Sequence, residues 1–244
     1  MENYRDKLDE MIFKKAIFET IRLWCISECE YSREIRDAIL KYKVDNRWVD
    51  SKNEEYIKFS KKYTKFLFDY SIARNRLAVY QIEMLKKIFN EIILENFKFD
   101  PKIIDTLAIF FQDENFTPKH QKPISLVSKT IFLILPQKAI LYDKRTVDSI
   151  KFIYPHTKIE NFIDYFEKFE QLKEENKDNA MKIINEYLPK IKSVMLNYFR
   201  YYYEINNKEE NEEAFKIMED KEWLYQRSLD KYLWYLQPEI NKKK

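Results

Sequence analysis

The sequence predicts an all-α protein, a compact multi-helix domain, and three observations carry that expectation. The chain holds no glycine in 244 residues. Primed hairpin turns and other positive-φ positions normally use glycine, whereas helices need it least and Asn can replace it at their C-caps. Apolar residues recur at spacings of three and four along most of the chain, and no stretch shows convincing strand alternation. Hydrophobic residues make up 45% and aromatic residues 16% of the chain, enough apolar area to bury a core between packed helices. One all-α domain over 1–244 is expected, with 1–112 and 113–244 as alternative lobes.

Taken in order, Leu8, Met11, Ile12, Ile17, Ile21, Trp24 and Cys25 mark one helix face. Ser32, ahead of Ile35, Ile39 and Tyr42, reads as the N-cap of a second helix. Residues 43–55 interrupt the pattern and read as a loop. Tyr56, Phe59, Tyr63, Phe66, Leu67 and Tyr70 form one stripe, and Leu77, Val79, Ile82, Leu85, Ile88, Phe89 and Ile92 form another. Two helices follow from this, with a break placed near Ala73–Asn75. Asp100 is pushed out of the helical region by Pro101, which opens a short helix to about Phe111. After a proline-containing loop, a helix from about Ser125 to Leu135 is expected to stop at Pro136. Asp143 then stands at the N-cap of the next helix, "KRTVDSI". A further helix is expected to begin near Thr157 or Lys158. "KEENKDN" reads as a charged turn or a solvated face, and another helix from about Asn179 is expected to break at Pro189. The last helix carries Trp223, Leu224, Leu229, Tyr232, Leu233, Trp234 and Leu236 and is expected to stop at Pro238.

The composition excludes several chemistries. A P-loop or a dinucleotide fingerprint requires glycines the chain lacks. Cys25 and Cys29 are one turn apart, but zinc would need two more ligands, and His120 and His156 are the only histidines. The pair reads as two buried thiols. Both histidines lie beside prolines in expected loops, which gives no basis for a Ser-His-Asp or Cys-His centre. No metal and no cofactor is expected. The charged N-terminus shows no apolar leader segment, and no run approaches the ~20 apolar residues that span a bilayer. A cytoplasmic location with no membrane contact is therefore expected.

Charge is unevenly distributed. Residues 117–153 hold seven basic side chains against two acidic ones, within a protein whose net charge is +3. The segment Glu204–Glu222 holds eight acids against three bases. Such separation makes a local field that the total hides. Basic side chains around a helix-turn-helix pair suit phosphate contacts, and Lys119, Lys122, Lys144, Arg145 and Lys151 are the candidate nucleic-acid-binding residues.

The stretch "VSKTIFLILPQKAILYDKRTVDSI", Val127 to Ile150, resembles a pattern found in bacterial proteins related to 8-oxoguanine DNA glycosylases. More distantly it is similar to the helix-hairpin-helix DNA glycosylase superfamily. The closing "LDKYLWYL", Leu229 to Leu236, is similar to the C-terminal Leu-Trp segment of the same bacterial proteins. The resemblance implies a degenerate helix-hairpin-helix near 123–153, in which "KPISLVSK" replaces the superfamily's Gly-rich turn. It implies an amine nucleophile at Lys129, an essential carboxylate at Asp143, and a base pocket that includes Phe132 and Tyr142. The chemistry suits those residue types. Cleaving a nucleotide's glycosidic bond builds positive charge on the sugar, which a fixed carboxylate stabilises. A lysine attacks only as the neutral amine, and the target base must first leave the stack.

The resemblance carries two readings of a nucleic-acid-associated protein whose partner is DNA: a base-excision glycosylase/lyase, or a degenerate binding module. The alternative is a non-catalytic protein-interaction subunit, for example of a phage-defence system. It would dock a protein partner through the aromatic C-terminal helix.

Overall fold

The computed structural model describes residues 8–70, 81–114, 116, 122–205, 215–216 and 219–242. Every regular element among these residues is helical and none is a strand. The α-helices are α1 (Glu10–Leu23), α2 (Cys29–Val44), α3 (Glu54–Asp69), α4 (Gln81–Leu94), α5 (Pro101–Asp113), α6 (Ile124–Ile134), α7 (Lys144–Ile153), α8 (Phe162–Ile205) and α9 (Lys221–Lys242). No helix among the described residues is long and apolar enough to cross a membrane. The chain forms two compact units. The first comprises Met1–Cys29, Asp143–Glu160 and Asp164–Lys244; the second comprises Glu30–Tyr142 and Asn161–Ile163.

In the first unit, Asp9 caps α1 by accepting the Ile12 N–H at 3.0 Å. Helix α9 packs along α1 and α7. Phe13 of α1 meets Tyr225 and Tyr232 edge-on, with ring centroids 6.3 and 6.1 Å apart, and Trp24 meets Trp223 at 5.1 Å. Edge-to-face packing of this kind adds about 1 kcal/mol per pair beyond simple burial. Ser149 of α7 donates to the Leu233 carbonyl at 2.6 Å, pinning α7 to α9.

The second unit is built on an aromatic ladder. Trp48, Tyr56, Phe59, Tyr63 and Phe66 meet in succession along and beside α3, with neighbouring ring centroids between 5.7 and 6.3 Å; Trp48 meets Tyr56 edge-on, while Phe59, Tyr63 and Phe66 stack. Pro101 opens α5 at its first position, as the sequence predicts, and Asp100 caps it by accepting the Lys102 N–H at 2.9 Å. Helix α6 is buried at every position except Ser125. At the end of α4, Asn96 and Phe97 adopt positive φ, 49° and 58°. The Phe97 N–H reaches the Ile92 carbonyl and the Asn96 N–H reaches the Ile93 carbonyl, each at 3.0 Å. This is a Schellman C-cap with Asn in the place glycine usually takes.

Four expected boundaries differ from the observed ones. Ser32 is no cap: α1 continues through a π-helical turn, Trp24–Glu28, directly into α2. Ser32 is buried mid-helix and donates to the Leu133 carbonyl at 2.7 Å, a tertiary partner that replaces the local one. Helix α8 begins at Phe162 rather than Thr157 or Lys158, because Asp105 accepts the N–H groups of Phe162 and Ile163 at 2.9 and 3.1 Å. It then runs 44 residues without a break at Pro189. An interior proline forfeits a helical hydrogen bond and costs roughly 3 kcal/mol, but Ile184, Leu188, Met195 and Phe199 are buried on both sides of it and hold the axis. Helix α9 likewise extends through Pro238 to Lys242. The expected break near Ala73–Asn75 lies outside the described residues.

Candidate functional site

The sequence-predicted residues fall in both units. In the second unit, Lys129 sits in α6 with 6% of its surface exposed. Burying an ammonium is costly unless polar groups replace its water. Here Nζ donates to the Tyr70 carbonyl at 3.5 Å and lies 5.7 Å from the centre of the Tyr70 ring. The preceding residue, Ser128, is fully buried. Its hydroxyl donates to the Ser125 carbonyl at 3.2 Å and accepts the Tyr142 N–H at 3.1 Å. One side chain thus ties the helix that carries Lys129 to Tyr142, within the second unit. The Tyr142 ring is half-buried, 6.2 Å from that of Phe162, while Phe132 is enclosed in the core of α6. Lys122 is exposed. Lys119 lies outside the described residues.

In the first unit, Asp143 caps α7 as predicted. Its carboxylate accepts the Arg145 N–H at 2.9 Å, and its own N–H donates to the Thr146 hydroxyl at 3.3 Å, closing a capping box. The extended backbone at Asp143, φ −140° and ψ 146°, is the geometry such a cap needs. Lys144, Arg145 and Lys151 are exposed along the same helix. The Arg145 guanidinium stands 4.3 Å from the Trp234 ring centre on α9, which fixes an otherwise mobile cation over an aromatic face. Asp143, Lys144 and Arg145 are brought together at one helix end. Lys129 and Asp143 belong to different units.

An ionic cluster that the sequence reading overlooked lies in the core of the first unit. Arg227 of α9 donates to Glu28 Oε1 at 2.7 Å and to Asp230 one turn later. Glu28 is wholly buried, and Arg227 and Asp230 nearly so. Burial pushes the Asp230 carboxyl above the usual carboxylate range, against the opposing pull of Arg227 and Lys231, with Asp143 and Glu28 adding negative potential. Lys231 is pushed down by burial and then by Arg227. The available signal was an Arg and an Asp at i, i+3 on the apolar face of α9, in "RSLDKYLW", where a solvated pair would not be found.

Cys25 and Cys29 are buried free thiols, and burial pushes the Cys25 thiol up, away from a reactive thiolate. No group of three or more metal-ligating His, Cys, Asp or Glu side chains occurs among the described residues. The aromatic side chains of α9 offered above as a docking stripe include Trp223 and Tyr232, which are buried in the first unit. Comparison with protein-family models, curated proteins and solved structures returned no match.

Proposed function

We propose that this chain is a helical nucleic-acid-associated protein that keeps a glycosylase-like pair, Lys129 and Asp143. The observation that supports the reading is the hydrogen bond from the Tyr142 N–H to the Ser128 hydroxyl. It ties the Lys129-bearing helix to Tyr142 within the second unit. The exposed cations on α7 supply the sequence-independent phosphate contacts such a protein needs. In base excision, the neutral amine of Lys129 forms a bond to the sugar's anomeric carbon as the bond to the base breaks. The base leaves with that electron pair and gains a proton, while the Asp143 carboxylate stabilises the positive sugar at the transition state.

Borohydride trapping on an oxidised-base duplex, together with binding titrations at several salt concentrations, tests this. Base excision predicts a covalent adduct lost in Lys129→Ala and in Asp143→Asn. A binding module predicts no adduct, and salt-sensitive affinity that survives Asp143→Asn and weakens in Lys144→Ala/Arg145→Ala. Absence of salt-sensitive binding to both duplex and single-stranded DNA overturns the proposal.

A further inference from the structure

Helix α8 carries a second apolar pattern that its own unit covers only in part, with Tyr187 and Ile191 half-buried and Lys14 over the Tyr187 ring. Tyr187, Ile191, Val194, Tyr198, Tyr201 and Ile205 follow one another at alternating spacings of four and three, the heptad of a coiled-coil seam. The core face of the same helix is different: Leu188, Met195, Phe199 and Tyr203 are buried there. Along the seam, Val194 is 65% exposed, Tyr198 47%, Tyr201 61% and Ile205 58%, while Tyr187 and Ile191 are half-buried. Single exposed apolar residues need no explanation, but a regular row of them on one helix face marks a contact surface.

The residues beside the seam indicate what covers it. On one flank, Leu188 and Met195 are already buried in the unit's own core. On the other flank stand Lys190, Asn197 and Glu204, each seven residues from the next and each exposed. The order along this flank is positive, neutral, negative. A second α8 laid antiparallel about a two-fold axis beside Asn197 sets Lys190 against the partner's Glu204 at both ends and Asn197 against its own copy. In the same register Ile191 meets the partner's Tyr201, Val194 meets Tyr198, and Tyr187 meets Ile205. A parallel arrangement would instead set Lys190 level with Lys190 and Glu204 level with Glu204.

We propose that the outer face of α8 is a self-association surface, occupied by a second copy of this chain in antiparallel orientation. The seam is about 27 Å long at the helical rise, which is small for a stable dimer, so dissociation in the micromolar range is expected. This proposal is independent of nucleic-acid association.

Sedimentation or light scattering over roughly 1 to 100 μM should show the mass rising from 30.2 kDa toward twice that value. Tyr198→Glu/Tyr201→Glu should stay monomeric with unchanged circular dichroism, because Tyr201 is 61% and Tyr198 47% exposed in the single chain. Lys190→Glu and Glu204→Lys should each weaken the dimer several-fold, and the two together should restore it. Asn197→Cys should form a chain-to-chain disulfide under mild oxidation. A monomer over the whole range overturns the proposal and leaves the seam to a different partner chain. A dimer indifferent to Tyr198→Glu/Tyr201→Glu overturns it equally, and failure of the double charge swap to restore association overturns the antiparallel pairing.

Discussion

Helices α6 and α9 each bury polar groups in the core of their own unit, yet they handle that polarity by different means. In α6 the polar groups are mainly hydroxyls. Thr130 donates to the Leu126 carbonyl at 2.9 Å and receives the Tyr63 hydroxyl at 2.8 Å, and Ser128 serves the Tyr142 N–H. In α9 the polar groups are ions, with Arg227 between Glu28 and Asp230. A neutral hydrogen bond contributes about 1 kcal/mol net. A buried ion pair contributes little net stability, because desolvation offsets attraction, but removing one partner strands the other. The two cores should therefore respond differently to the loss of a single group.

The largest expected effect tests that asymmetry. Arg227→Met removes the cation that bridges two buried carboxylates and should cost about 3–5 kcal/mol in urea unfolding. Replacing Glu28, Arg227 and Asp230 together with apolar residues of similar volume should recover most of that loss. If Arg227→Met costs no more than a hydroxyl deletion in α6, the contrast between the two cores fails.

A second prediction concerns pH. Burial raises the Asp230 carboxyl, so the folded protein keeps this proton to a higher pH than the unfolded chain does. Its contribution to stability is then fully present below about pH 4, the ordinary carboxylate range. It is lost as pH rises through the raised value. The stability of the natural protein relative to Asp230→Asn should fall as pH rises above about 4. A relative stability that stays flat would show that Arg227 cancels the burial effect.

Two smaller effects sharpen the comparison from the side of neutral groups. Asp143→Ala should cost about 1 kcal/mol by opening the α7 cap. Asp143→Asn should leave stability nearly unchanged, since Asn caps as well as Asp, so any functional loss in that variant reports the charge rather than the fold. Tyr63→Phe should cost about 1 kcal/mol or less, because Thr130 keeps its bond to Leu126.

Part of this architecture was legible in the sequence because its causes are local. Asp143 before "KRTVDSI" is a cap set by its immediate neighbours, and Pro101 sets the start of α5. The apolar stripe of α3, Tyr56 to Leu67, became core as its spacing indicated. The substitution of Asn for glycine at a C-cap was also foreseeable, and Asn96 makes it. The Glu28–Arg227 contact was not foreseeable, because it joins residues 199 positions apart. Nor was the start of α8, whose cap comes from Asp105, 57 residues upstream.

Helical class follows from the absence of glycine and from spacings of three and four, since the backbone's local preferences are properties of short windows. Folding at long range chose which helices continue and which polar groups meet. Pro189 sits inside an unbroken helix because apolar side chains before and after it are anchored in one core. Glu28 and Asp230 are buried because Arg227 reaches both. These outcomes turn on sums of burial and desolvation over distant residues, and no short window of the chain contains those sums.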